Sequence, residues 1–187
     1  MLRAVRITPP VVAPVTVDDA KVFLRVDGAE EDTLIESLIA AAVDHLDGRS
    51  GVLGRCMVTQ VWRYQAQCLN AQFDFDMPGA TAATVRFVDD AGEAQAVTVA
   101  DDQLVQTVRG SSLIIADGDP LAEWRGPVTL EVTFGTAVED VPPALVQAVR
   151  MLVAHWYANR EAVVTGSAAP LPLGVQMLIA PYRWMSI

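Results

Sequence analysis

Between Pro142 and Arg160 the chain reads as a long helix with hardly a polar side, and this constrains the rest of the molecule more than any other stretch. Pro142 and Pro143 suit a first helical turn, where φ is already near their fixed value and a missing N–H leaves no bond unmade. Asp140, just ahead, is a candidate cap and dipole partner. Leu145, Val149, Leu152 and Trp156 recur at helical spacing, with Val146, Val153 and Tyr157 one residue on. Gln147, Met151, Ala154 and Ala158 hold the other side, so the helix asks for cover on both faces, more than one small domain usually supplies. A length of about 20 residues spans roughly 30 Å, enough for a bilayer. Arg150, His155, Asn159 and Arg160 argue against that use, since each Arg near a bilayer centre costs several kcal/mol, and no membrane partner is expected.

Residues 165–169 follow as a small-residue hinge, and Leu171 to Tyr182 reads as a short second helix or clasp broken by Pro172 and Pro181. The chain closes on Arg183, Trp184, Met185, Ser186 and Ile187, a basic and aromatic tail on an acidic protein. Trp184 and Ile187 either fold back on their own core or dock on a partner, Trp, Tyr and Arg being enriched at interface hot spots.

The run Ala154-His155-Trp156-Tyr157-Ala158-Asn159-Arg160-Glu161-Ala162, then Leu171-Pro172-Leu173-Gly174-Val175 and Leu178 to Arg183, resembles the C-terminal signature of head-tail connector (adaptor) proteins of long-tailed phages and gene transfer agents. The resemblance is dense here; elsewhere it is one of layout. It implies an α+β protomer with three parts: an extended arm over 1–16, a single connector domain over 17–163, and a clasp over 164–187 docking on a partner. It further implies a structural, non-enzymatic role without cofactors. Copies, twelve by resemblance, would form a ring beneath the portal protein at the particle neck, receive the next neck or tail protein, and be assembled in the bacterial cytoplasm. Trp156, Tyr157, Arg160, Glu161, Leu173, Tyr182, Arg183 and Trp184 are the expected contacts to portal and neighbours; Arg160 and Glu161 alternatively close an internal ion pair.

Charge fits a channel wall. A net −10 with one Lys in 187 residues lacks the clustered cations that phosphate gripping needs, so DNA would pass without specific binding. Residues 18–47 hold nine acids against Lys21 and Arg25, residues 48–141 hold thirteen acids against six Arg, and both ends of the chain are net positive. Acidic walls would let a duplex slide while basic ends hold proteins; an acidic balance that merely keeps a domain soluble is the plainer alternative. The opening residues lack a secretory pattern, and Pro9, Pro10 and Pro14 suggest an extended arm that packs on a neighbour or frays.

Thr16 with Asp19 predicts a capped helix burying Ala20, Phe23 and Leu24 and ending at Asp27-Gly28. A second helix is predicted from Glu30 to Asp47, with Leu34, Ile35, Leu38, Ile39, Ala42, Val43 and Leu46 on one face, the acidic pair covering one face of a sheet. Gly48, Gly51 and Gly54 lack the Lys and preceding strand of a phosphate loop and read as a helix cap and turn. The period then changes to two. Strands are predicted at Met57–Gln65, Gln72–Phe75, Thr84–Val88, Ala94–Val99, Leu104–Val108, Leu113–Ile115 and Val128–Phe134, an antiparallel sandwich or half-barrel with Trp124 plugging one end.

Asp74/Asp76, Asp89/Asp90, Asp101/Asp102 and Asp117/Asp119 fit turns better than a metal site. His45 and His155 sit in no ligand pattern, and Cys56 and Cys68, twelve apart, are expected to be reduced thiols. The alternatives are a small cytosolic enzyme or ligand-binding module with a pocket in the β region, and, nearer, a head-closure or tail-completion protein.

Overall fold

The computed structural model describes residues 4–89, 91–116, 119–159 and 172–185. It is an α+β chain with antiparallel sheets. The backbone gathers into two compact units interleaved along the sequence: one of residues 1–11, 55–136 and 184–187, the other of residues 12–54 and 137–183.

The first unit holds two sheets. Strands β1 (Val5–Thr8), β2 (Gln60–Ala66), β4 (Ala80–Val88), β5 (Ala94–Thr98) and β8 (Val128–Phe134) form one, in the order β1-β2-β8-β4-β5. Strands β3 (Gln72–Phe75), β6 (Leu104–Thr107) and β7 (Gly110–Ile114) form the other, in the order β3-β7-β6. The alternation read in Val128–Phe134 appears as strict burial of every second residue, so one face of β8 supplies Val128, Leu130, Val132 and Phe134 to the core. Tyr64 of β2 and Phe134 of β8 meet Phe75 of β3, with ring centroids 4.9 and 6.2 Å apart, so aromatic side chains from both sheets close one core. Trp124 packs on Phe87 at 4.6 Å, at the rim of that core. Four residues of the stretch read as an arm, Val5 to Thr8, pair antiparallel with β2.

The second unit is helical: α1 (Val17–Leu24), α2 (Asp32–Leu46), α3 (Pro143–Ala158) and α4 (Leu173–Ile179). Thr16 caps α1 as its spacing predicts, its hydroxyl accepting from Asp19 N at 3.1 Å while the Asp19 carboxylate faces Thr16 N at 3.4 Å. The helix ends earlier than Asp27-Gly28, because Arg25 turns left-handed at φ 59°. Ala20 is buried, but Phe23 is 42% exposed and Leu24 half-buried, so the expected apolar face of α1 is only partly used. Buried Ile35, Ile39, Ala42 and Leu46 give α2 its inner face. Both helices pack on α3.

After α2 the chain folds back on the helix end: Val52 N and Leu53 N donate to His45 O and Leu46 O, each at 3.0 Å. Gly51 makes this possible, since a Cβ there would lie 2.3 Å from Asp47 O and 2.5 Å from Leu46 O. The cap-and-turn reading of the three glycines matches this geometry.

Candidate partner-binding surface

Helix α3 starts as expected, with Pro143 in its first turn, but runs 16 residues, about 24 Å, where about 20 were expected. Its own unit supplies much of the cover that the sequence seemed to demand from other chains. Leu145, Ala148, Val149, Leu152 and Val153 are buried, and α1, α2 and α4 pack around the helix. The stripe is broad because α3 has three helical neighbours.

The sequence-predicted contacts divide accordingly. Trp156 is half-buried and sets its ring edge-on to His45, centroids 6.0 Å apart. Tyr157, also half-buried, donates its hydroxyl to the Glu31 carboxylate, tying the end of α3 to the acidic α1–α2 turn. Arg183 is exposed, with Nε donating to Val52 O at 3.3 Å, and Tyr182 is half-buried in the 3-10 turn after α4. Trp184 belongs by its contacts to the other unit; its indole nitrogen is shielded from solvent and has no hydrogen-bond partner among the described residues. Arg160, Glu161 and the hinge at 165–169 lie outside the described residues.

Leu173 is the predicted contact that stands clear, at 72% exposure. Four residues on, Met177 is 70% exposed, so the two share one side of α4. Val175 and Ile179, on the opposite side, are buried at 0% and 1% and face inward, where α4 packs on α3. Gly174 allows the close approach: a Cβ there would fall 2.7 Å from Met151 Cε of α3. The Leu-Gly-Val run thus reads as outward anchor, close contact and inward anchor. Sequence reading missed Met177, although its i+4 relation to Leu173 was visible. It also missed Val22, 81% exposed on α1 beside Phe23.

The electrostatics of this unit are acidic. Lys21, one of the two cations facing nine acids in residues 18–47, is engaged by Asp32 at 2.7 Å, a hydrogen bond that raises the ammonium above its ordinary pKa. Leu173 and Met177 on α4 and Val22 on α1 are thus exposed apolar side chains of a unit whose residues 18–47 are strongly acidic.

The β unit carries an open cavity of about 1100 Å³, lined in part by Tyr64, Phe73, Asp74, Arg86, Phe87 and Gln95. Its charges are committed. Asp74 accepts from Ser112 at 2.6 Å and Gln72 at 2.7 Å, which lowers its pKa, and Arg86 bonds Glu131 at 2.8 Å. Asp89 accepts from Gln95 Nε2 and from the backbone N–H groups of Glu93 and Ala91, and Asp119 caps a 3-10 turn through Leu121 N; turn chemistry thus accounts for these acids. Cys56 and Cys68 are free thiols, with Cys56 Sγ 3.9 Å from Met77 Sδ. Among the described residues, no three His, Cys, Asp or Glu gather as metal ligands.

The chain thus joins a unit of two antiparallel sheets to a helical unit. Residues 14–71 match the family model of phage gp6-like head-tail connector proteins. Over these residues, which hold the N-terminal helices and first long strand and where the sequence showed layout and no sharp motif, the chain is similar to head-tail connector proteins. Its fold is that of chains in three gene transfer agent structures. One is from the neck of an empty particle computed with C6 symmetry: TM-score 0.71, 24% identity, covering 99% of this chain and 97% of that one. The second is from the virion of a native particle, at 0.68 and 24%, covering 98% and 96%. The third is from the neck of a native particle computed with C12 symmetry, at 0.61 and 22%, covering 100% and 97%. No curated protein matches the chain.

Proposed function

We propose that this protein is a structural head-tail adaptor, a ring under the portal of a phage or phage-like particle that joins the DNA-filled head to the tail and continues the DNA channel. The match of residues 14–71 to the connector family carries the reading. The likeness to neck chains over nearly the whole length supports it. In this reading the outward face of α4, Leu173 with Met177, is the anchor for the portal, and Tyr182, Arg183 and Trp184, next along the chain, are further contacts. Trp156 and Tyr157 hold the helix end that presents it, with Arg160 and Glu161 next in sequence. Copies of the chain and the next neck or tail protein are the other partners. The acidic surface leaves the DNA without a grip.

Truncation is a poor probe of the anchor, because removing α4 would uncover α3. Deleting the gene is the direct test: filled heads lying apart from finished tails are expected. Complete particles in its absence would refute the adaptor role.

A further inference from the structure

Strand β5 ends its sheet with an unguarded edge. All five residues of Ala94–Thr98 are exposed, and none is charged or Pro, the usual protection of an edge. The hairpin pairs residues so that Phe87 faces Gln95 and Val85 faces Val97. Asp89 N donates to Glu93 O and Val99 N to Ala83 O, each at 2.9 Å. Hydrogen-bonded pairs alternate along an antiparallel ladder. Residues 93, 95, 97 and 99 therefore bond β4, and the N–H and C=O groups of Ala94, Ala96 and Thr98 point away from the sheet.

Charge selects what these groups would accept. Asp89 and Glu93 stand at one end of the edge and Asp101 and Asp102 at the other. A second β5 laid antiparallel would face acids with acids. The two basic stretches of this chain are its ends, and of the strands β1 lies in one of them, with Arg3 and Arg6 and no acid before Asp18. Strand β1 is also the opposite terminal strand of the same sheet. With five antiparallel strands, the first and last run in the same direction.

We propose that β5 of one copy receives β1 of the next, in parallel, so that the five-stranded sheets run on from protomer to protomer. Such a contact joins two different surfaces of one chain and closes when the rotation between copies closes. Neighbours in a ring of many copies differ by a small rotation, which preserves strand direction and so demands the parallel pairing that these two edges offer. The four residues of β1 match the five of β5. The register shift after Arg6 keeps the contact short, an adjunct to the ring's other contacts. This inference rests on the ring reading above.

The test uses the full chain in assembled particles, on a Cys68→Ser background, since Cys68 is partly exposed and Cys56 buried. Chains carrying both Ala94→Cys and Val5→Cys, which the parallel pairing sets side by side at the starts of the two strands, are treated with a short bismaleimide, and necks from the same preparation are imaged. A ladder of cross-linked multiples of one chain is expected, absent when either cysteine is omitted. Adding Ala96→Pro removes an outward N–H and leaves the β4 ladder intact, so the chain folds and the ladder weakens by roughly tenfold, as one or two lost backbone bonds imply. Arg6→Glu, which leaves β5 unchanged, should weaken it likewise. Rings in the necks without the cross-link, or a ladder indifferent to both substitutions, overturn this inference alone. Necks without any ring of this chain overturn the ring reading and the inference with it.

Discussion

Replacing Glu131 by Gln probes the electrostatic tie that spans three strands of the larger sheet. Glu131 stands on β8 between β2 and β4, and its carboxylate accepts from Arg63 Nη2 at 3.0 Å and Arg86 Nε at 2.8 Å. The hydrogen bond from Arg86, then that from Arg63, hold its pKa below the ordinary glutamate value despite desolvation. The carboxylate is 17% exposed but the guanidiniums are 43% and 53% exposed. Water screens such pairs to about 0.2–1 kcal/mol each, and Gln keeps one neutral acceptor, so the net loss is about 1 kcal/mol. For a chain of this length that lowers the thermal midpoint by roughly 2–4 °C. Because the folded pKa is depressed, the stabilisation is complete above the unfolded value and disappears as pH falls through the folded one. Thermal unfolding followed by circular dichroism should show the gap at pH 7 and lose it well below the unfolded glutamate pKa of about 4.3. A gap of equal size at both pH values, or none at pH 7, would refute this view of the pair.

Thr16→Ala removes the cap of α1 and should cost about 1 kcal/mol by chemical denaturation, with Thr16→Ser recovering most of it. Gly51→Ala forces a Cβ against the end of α2 and puts at risk two backbone bonds and the burial of Leu53, for a loss of about 3–5 kcal/mol in the same assay. Leu173→Asp with Met177→Asp acts on side chains 72% and 70% exposed, so unfolding should be nearly unchanged while head-to-tail joining, counted in micrographs, falls sharply.

Local chemistry was legible in the sequence where a single element decides it. The Thr16 cap, the α2 face, the Gly48–Gly54 turn and the alternation of Val128–Phe134 each follow from residues a few positions apart. What depends on distant neighbours was not. Strand β1 has four residues after a short N-terminal run, and β2 across the sheet rather than its own pattern makes it a strand. The apolar girth of α3 suggested outside partners, yet α1, α2 and α4 supply cover for it. Of the proposed contacts, Leu173 stands free while Tyr157 is engaged by Glu31, a distinction set by tertiary packing and invisible in helical periodicity.

Imaging the neck of intact particles at side-chain resolution tests the adaptor role most directly. The expected result is a closed ring of this chain under the portal, with Leu173 and Met177 of each copy buried against the protein above. A neck built without this chain, or a ring in which that side of α4 faces only water, would contradict it.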